Sequence, residues 1–411
     1  MPEKVLVIAV KMPEDNDERF ESSLAELKSL SHTAGGTVEK VMIQNRQRIH
    51  PTYYIGEGKM EEIREAAEHL GTELIISNDE LSAGQLRNLT DRIGVRIIDR
   101  SQLILDIFAQ RARTKEGKLQ VELAQLEYTL PRLRGRGEEM SRLGAGIGTR
   151  GPGETKLETD QRHIRRRIDD IKKQLNQVVK QREQYRKRRK SNDAFQIAIV
   201  GYTNAGKSTL FNQLTKGDAM VENQLFATLD PLTRQIQLPS GFQTLITDTV
   251  GFIQDLPTSL IAAFKSTLEE VGEADFIMHV VDVSNPDLEQ HQKTVDRLLE
   301  ELGANKIPKL VVYNKKDRLK TDFIPMQHPN ILISAAESND ISRLREQLEA
   351  AIKREWDEYS VSLAPDEGKL LHRFEQETIV THRAFEEARN QYYVTGYIRQ
   401  QHPLRSLVKE H

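Results

Sequence analysis

Residues 201–208 read Gly-Tyr-Thr-Asn-Ala-Gly-Lys-Ser, with the spacing G-x-x-x-x-G-K-S. Two glycines let a backbone curl until its N–H groups converge on one point, where an anion is held. The lysine that follows can reach β- and γ-phosphates, and the serine hydroxyl can ligate Mg²⁺. Ahead of the loop stands Phe195-Gln-Ile-Ala-Ile-Val200, a short apolar run that reads as a buried strand. Behind it, Leu210, Phe211 and Leu214 share one face of a helix. Strand, loop and helix in that order put a helix N-terminus at the loop, and its partial positive charge adds to the pull on phosphate. The expected contacts are Gly201, Tyr202, Thr203, Asn204, Ala205, Gly206, Lys207, Ser208 and Thr209.

Further pieces follow in order. Gln243–Gly251 reads as a strand ending in Asp248-Thr249-Val250-Gly251. A carboxylate at a strand's carboxyl end can hold the Mg²⁺ shell through water, and the Gly251 N–H can meet a γ-phosphate. Phe226-Ala227-Thr228-Leu229-Asp230 lies between these two motifs, and Thr228 is a candidate second Mg²⁺ ligand on a mobile segment. Val311–Asp317 is a further strand ending in Asn314-Lys315-Lys316-Asp317. The Asp317 carboxylate can accept two hydrogen bonds from the ring N–H and exocyclic amine of guanine, which adenine cannot supply. A pocket built to pair such groups rejects the analogue lacking them. Asn314 would tie this segment to the phosphate loop, and the Lys315 stem would cover the base. Ile331–Ala336 reads as the last strand of this region. Its Ser334, Ala335 and Ala336 would flank the base, with the Ala335 N–H at the guanine carbonyl. Lys207, Thr228 and Gly251 are the residues expected to carry catalysis of GTP hydrolysis to GDP.

This set resembles the sequence elements of the translation-factor-related GTPases. Phe252 departs from the small signalling GTPases, where a glutamine after the glycine orients the attacking water. A phenyl ring cannot hydrogen-bond water. Hydrolysis is therefore expected to be slow alone and to need another group or a partner. The loop pattern G-x-x-N-x-G-K-S resembles GTPases in which the asparagine, here Asn204, helps hold K⁺ near the phosphates. There K⁺ would supply charge where an arginine finger otherwise acts. An asparagine equally tolerates a tight turn.

The chain's 411 residues have room for about three domains. It has no cysteine, which excludes disulfides and thiolate chemistry and fits a reducing, cytoplasmic setting. No apolar run approaches the roughly 20 residues that span a bilayer. Val5–Val10 is too short for a leader and reads as a strand. The net charge of −3 hides an asymmetry. Residues 131–190 hold 19 Lys+Arg against 8 Asp+Glu, leaving −14 on the rest. A basic block in an acidic body is the pattern of a local polyanion-binding element.

Residues 1–105 alternate strand and helix, as in a small parallel α/β domain. Strands are expected at 5–10, 38–43, 74–77 and 95–99, with helices near 18–31, 57–70 and 82–91. Tyr54-Ile-Gly-Glu-Gly-Lys59 opens one of those helices and reads as a structural turn, with anion binding as the alternative.

Residues 106–191 differ. Leu119, Leu123, Leu126, Leu130 and Leu133 step by heptad intervals, and so do Ile164, Ile168, Ile171, Leu175 and Val178. Two such helices would pair antiparallel. Their connector, 134–153, carries seven glycines with Arg134, Arg136, Arg142 and Arg150. Glycine allows close approach and arginine pairs bidentately with phosphate, so RNA fits this probe. The helix ends in the basic run Gln181–Lys190. A GTPase core over 192–355 includes an amphipathic stretch, 256–271, expected to move with the γ-phosphate. A small α+β tail, 356–411, completes the chain, with strands at 359–363 and 391–398 around a helix near 367–377.

The order of parts resembles the HflX family of ribosome-associated GTPases. The phrases Gly151-Pro-Gly-Glu-Thr-Lys-Leu157, Phe226-Ala-Thr-Leu-Asp230 and Asp248-Thr-Val-Gly-Phe252 carry that likeness. The resemblance implies binding to the large ribosomal subunit and its rRNA, and GTP hydrolysis stimulated by the ribosome. It further implies splitting of stalled ribosomes, with the Gly-rich loop reaching toward the peptidyl-transferase centre. The chain is expected to act as a monomer. A ribosome-assembly GTPase, an RNA remodeller with an ATP site in the first domain, and a non-enzymatic scaffold are the alternatives.

Overall fold

A computed structural model describes residues 2–133, 152–191, 194–215, 225–226, 228–253, 270–319 and 321–410. These form two compact units. One holds the described residues up to Lys180 together with Leu225 and Phe226, and the other holds the rest.

The first unit opens with β1 (Glu3–Lys11), α1 (Asp17–Thr33), β2 (Gly36–Asn45), α2 (Glu57–Leu70), β3 (Leu74–Ser77), α3 (Ala83–Ile93) and β4 (Arg96–Asp99). The strands make one parallel sheet in the order β2-β1-β3-β4. Leu6, Ile8 and Ile75 lie in its core against Met60 and Ile63 of α2 and Leu89 of α3. Helix ends are signed locally. Ser82 and Gln85 form a reciprocal capping box, and Gly71 and Gly94 close α2 and α3 in left-handed conformation.

Tyr54 is 1% exposed, and its hydroxyl accepts from the Val10 N–H at 3.0 Å while donating to Asp79. That places it across the carboxyl ends of β1 and β3, where the strand order reverses. Open α/β sheets bind ligands at such a point. Here a tyrosine takes up those backbone and carboxylate partners. The Gly56 N–H at the head of α2 donates to Gln44 Oε1 at 2.8 Å, and Lys59 pairs with Glu62. Residues 54–56 are thus held ahead of α2 by contacts to Val10, Asp79 and Gln44.

Two more helices, α4 (Arg100–Arg111) and α5 (Lys115–Leu133), follow β4, and α6 (Pro152–Ser191) comes after the connector. The heptad seams meet. Leu119, Leu123, Ile168 and Ile171 form a small core flanked by Leu126, Leu130, Ile164 and Leu175. Glu122 binds Arg167 and Glu127 binds Lys172 at its rims. These pairs join like heptad positions, the pattern of an antiparallel pair. Arg134, Arg136, Arg142 and Arg150 lie outside the described residues, as does most of the stretch 256–271.

The second unit contains β5 (Gln196–Gly201), α7 (Lys207–Thr215), β6 (Leu232–Gln237), β7 (Gln243–Asp248), β8 (Phe276–Asp282), α8 (Leu288–Glu301), β9 (Lys309–Asn314), β10 (Asn330–Leu332) and α9 (Ser338–Lys353). The sheet order is β10-β9-β8-β5-β7-β6, parallel except for β6. Ile197, Ile199, Met278 and Leu310 line its core with Leu210 and Phe211 of α7 and Leu344 and Leu348 of α9. The strand expected over 331–336 stops at Leu332, because the backbone of 333–336 turns to serve the site. Beyond it, β11 (Asp357–Leu363), α10 (Gly368–Glu377), β12 (Ile379–Glu386), β13 (Gln391–Ile398) and β14 (Lys409–Glu410) form an antiparallel sheet, β12-β13-β11-β14. Its core is built on Tyr359, Phe374 and Val394. The chain is therefore an α/β multidomain protein: a small parallel α/β region with a helical hairpin, a P-loop domain, and a small α+β tail.

Replacing Tyr54 by Phe should strip the Val10 N–H of its acceptor and cost about 1–3 kcal/mol in urea unfolding. An unchanged midpoint would refute this account of the sheet's carboxyl edge.

Candidate functional site

The site begins where β5 runs out. Ile197 to Val200 are buried, so the chain leaves the sheet centre and must turn at Gly201. Any Cβ on Gly206, whose φ is +97°, would lie 2.2 Å from Asn314 Nδ2. Asn204 takes the left-handed backbone too, with φ +60°, and its side chain is exposed. The turn reading of this residue thus has a visible basis. Lys207 starts α7 and is 6% exposed, and its ammonium donates to Gly201 O at 3.1 Å and Tyr202 O at 2.9 Å. Burial pulls its pKa down to about 8, Asp248 opposes that shift, and Lys315 adds to it. Thr209, the third residue of α7, is half-buried.

Three oxygens converge beside the lysine. Ser208 Oγ and Thr228 Oγ1 are 2.8 Å apart, and each donates at 2.8 Å to Asp248 Oδ2. Burial pushes the Asp248 carboxyl up, against the pull of Lys207 and of the two hydroxyls. Its other oxygen, Oδ1, is buried without a hydrogen-bond partner among the described residues. Neighbouring ligands of an octahedral Mg²⁺, each about 2.1 Å from the metal, stand about 3 Å apart. A triangle of hard oxygens with that spacing, beside an orphaned carboxylate oxygen, fits this ion. Leu229 is buried next to Thr228 and Asp230 is half-buried, while Ala227 lies outside the described residues.

Past Asp248, Thr249 Oγ1 donates to Ile199 O at 2.6 Å and Val250 is buried, which pins the strand end to β5. Gly251 then passes the loop at close range. A Cβ there would sit 2.8 Å from Thr203 Cγ2 and 2.9 Å from Lys207 Nζ. Phe252 is 2% exposed and touches the loop through its backbone. Its carbonyl accepts from Thr203 N at 2.8 Å and its N–H donates to Gly201 O at 3.2 Å.

The second cluster forms at the end of β9. Asn314 Nδ2 donates to Ala205 O at 2.9 Å, which joins this strand to the loop. Ala335 N donates to Asn314 Oδ1 at 2.9 Å, so the N–H expected at a guanine carbonyl is engaged within the protein. Ser334 Oγ donates to Asp317 at 2.6 Å, and Ala336 N contacts the same hydroxyl at 3.4 Å. Lys315 adopts φ +65° and its ammonium meets Asp282 at 2.8 Å, which fixes the stem. Lys316 faces away, to Glu337 and Asp340. Asp282 and Asp340 are the residues the linear reading lacks. Asp282 carried one signal, an acid at a strand's carboxyl end, but its lysine lies far along the chain.

Comparisons with known proteins decide the family. A family model for the N-terminal region of GTP-binding GTPases matches residues 21–109, and one for their middle region matches 111–189. A model described as 50S ribosome-binding GTPase matches 196–315. The GTPase HflX of Alkalihalophilus pseudofirmus is 52% identical over 99% of this chain and 96% of its own length. The GTPase HflX of Escherichia coli is 43% identical over 91% of this chain and 88% of its own. The chain belongs to the HflX family of GTPases. Among solved structures, a GTP-binding protein from the archaeon Sulfolobus solfataricus in complex with GDP matches at TM-score 0.45 and 24% identity, over 85% of this chain and 98% of that one. As an HflX-family GTPase, the chain hydrolyses GTP to GDP and phosphate.

The lowered Lys207 pKa has a consequence for nucleotide affinity. A phosphate bound beside the ammonium restores its charge, so binding takes up a proton above pH 8. Affinity for GDP should be flat below pH 8 and fall about tenfold by pH 9. Fluorescence titration at each pH checks this. Lys207→Arg, whose side chain stays charged, should flatten the curve, and a flat wild-type curve would overturn the account.

Proposed function

We propose that this chain is a ribosome-associated GTPase of the cytoplasm. On this reading it binds the large ribosomal subunit as a monomer, hydrolyses GTP faster on the ribosome, and separates stalled ribosomes into subunits. The observation that carries the reading is the pairing of α5 and α6. A leucine and isoleucine seam holds the two ends of a connector with seven glycines and four arginines, inside a stretch of 60 residues with 19 basic side chains. A linker without a binding task needs no such frame. The match of residues 196–315 to a family of 50S ribosome-binding GTPases supports the same partner.

The site residues take these roles in the proposal. The loop residues Gly201 to Thr209 hold the phosphates through the backbone N–H groups not engaged within the protein, with the Lys207 ammonium on the β- and γ-oxygens. Ser208 and Thr228 would hold Mg²⁺, with Asp248 behind them through water. Bound there, Mg²⁺ neutralises charge that develops on the phosphate oxygens. Asn204 is the residue that would hold K⁺. Gly251 offers its N–H to the γ-phosphate, and the segments around Phe226–Asp230 and Asp248–Gly251 order with it. Asp317 reads guanine, flanked by Lys315 and the turn Ser334–Ala336. Phe252 cannot orient water, so the ribosome is assigned that task. The proposed division of labour follows 1–105, 106–191, 192–355 and 356–411.

GTP turnover should rise at least about tenfold when purified large subunits are added, and absence of any stimulation would sink the ribosome assignment. Preference for immature over mature particles would move it to assembly. Replacing Arg134, Arg136, Arg142 and Arg150 by Ala should abolish stimulation and splitting while GDP affinity stays unchanged. Asp317→Asn should shift preference from GTP to xanthosine triphosphate by about a hundredfold or more. Unchanged GTP preference in competition binding would remove Asp317 from base recognition.

A further inference from the structure

The phosphate loop has an unusual backing. Behind residues 202–205 lies a chamber of about 40 Å³, whose walls include Thr203, Asn204, His279, Asp282 and Gln292. Thr203 Oγ1 and His279 Nδ1 are buried on it without a hydrogen-bond partner among the described residues. Close-packed apolar side chains usually fix a loop of this kind. Here a water-sized space with polar and apolar walls, Val280, Val281 and Val295 among the latter, lies against the loop.

One ring stack closes that space. The Tyr202 and His291 rings lie 3.6 Å apart between centroids with only 8° between their planes. Tyr202 is 6% exposed, and its carbonyl accepts from both Lys207 Nζ and Ala205 N. His291 stands in the first turn of α8, with its N–H bonded to Asp287 O. The ring therefore projects from a rigid element onto one of the two loop residues whose carbonyls hold the lysine.

We propose that His291 is a positioning residue for nucleotide binding, its ring stacked on Tyr202 to hold the first turn of the phosphate loop and the Lys207 ammonium in register with α8. The inference rests on the phosphate-loop reading of Gly201–Ser208. Burial holds the His291 pKa down to about 4, with Asp287 and Asp282 opposing, so the ring is neutral at pH 7 and adds no charge to the site. Its contribution is then geometric and needs an aromatic face, not a proton. Asp282, which acts on the ring, also binds Lys315 at 2.8 Å. One carboxylate thus acts both on the stacked ring and on the lysine expected over the base.

The test uses the full chain with GDP as probe and GTP turnover as second readout. His291→Ala should weaken GDP binding about fivefold and raise the GTP KM by the same factor. The kcat should stay within about twofold, as for loss of ground-state binding. His291→Phe keeps the face and should bind within about twofold of wild type. Tyr202→Leu should match His291→Ala, and the double variant should be no worse than either, since both remove one contact. Wild-type affinity in His291→Ala with a lowered melting temperature would make the stack merely structural and overturn the proposal. Failure of His291→Phe to exceed His291→Gln in affinity would overturn it as well, and that pair decides the matter if the alanine variant does not fold. Lys207→Ala separates the two layers. Full GDP binding by Lys207→Ala would sink the phosphate-loop reading itself. Lost binding there beside an unchanged His291→Ala would sink only the stack.

Discussion

A buried ammonium is the constraint around which the second unit is arranged. Lys207 is 6% exposed, and a charge out of water must find partners or lose its proton. It finds the carbonyls of Gly201 and Tyr202 and the field of Asp248. Peptide planarity then dictates the rest. When the Tyr202 carbonyl turns to the lysine, the N–H of the same peptide, on Thr203, points the other way, and it meets Phe252 O. The curl of the loop, the close passage of Gly251 and the placement of Asp248 all follow from accommodating one cation. An anion completes the arrangement by relieving a strain that the free protein carries as a lowered pKa.

Local pattern made much of this visible. The glycine spacing at 201–206, the apolar run before it and the leucine seam at 119–130 each act over a few residues, and the structure pairs them as periodicity requires. What stayed hidden depends on partners distant in the chain. The linear reading has no strand at Ile379–Glu386, where Thr381, His382, Arg383 and Phe385 are exposed and leave little apolar alternation. That strand exists because β13 supplies its hydrogen bonds. Nor does it contain α4, which starts directly after β4 with only the Asp99 side chain to mark it. The turn at 333–336 reads as strand because Ile333 and Ala335 are apolar and buried. The demand of Asn314 for the Ala335 N–H is a tertiary matter.

The first unit shows a related economy. A doubly wound parallel sheet brings with it a crevice where strand order reverses. Tyr54 meets that crevice with a phenol whose oxygen answers both a backbone N–H and a carboxylate. A buried hydrogen-bonded group joins Ser23 of α1 to Asn78, directly after β3, and Arg100, directly after β4. Polar atoms at the carboxyl edge are thereby matched with one another. That is the pattern of a scaffold built to hold α4 and α5 in place.

The oxygen triangle of Ser208, Thr228 and Asp248 bears on how tightly a divalent ion can be kept. Each hydroxyl already donates to the carboxylate, which leaves lone pairs of Ser208 Oγ, Thr228 Oγ1 and Asp248 Oδ1 for a cation. A divalent ion held there would meet side chains that the protein has already set in place through their own hydrogen bonds. The three side chains hold one another in place, so the centre would need no refolding to take up such an ion.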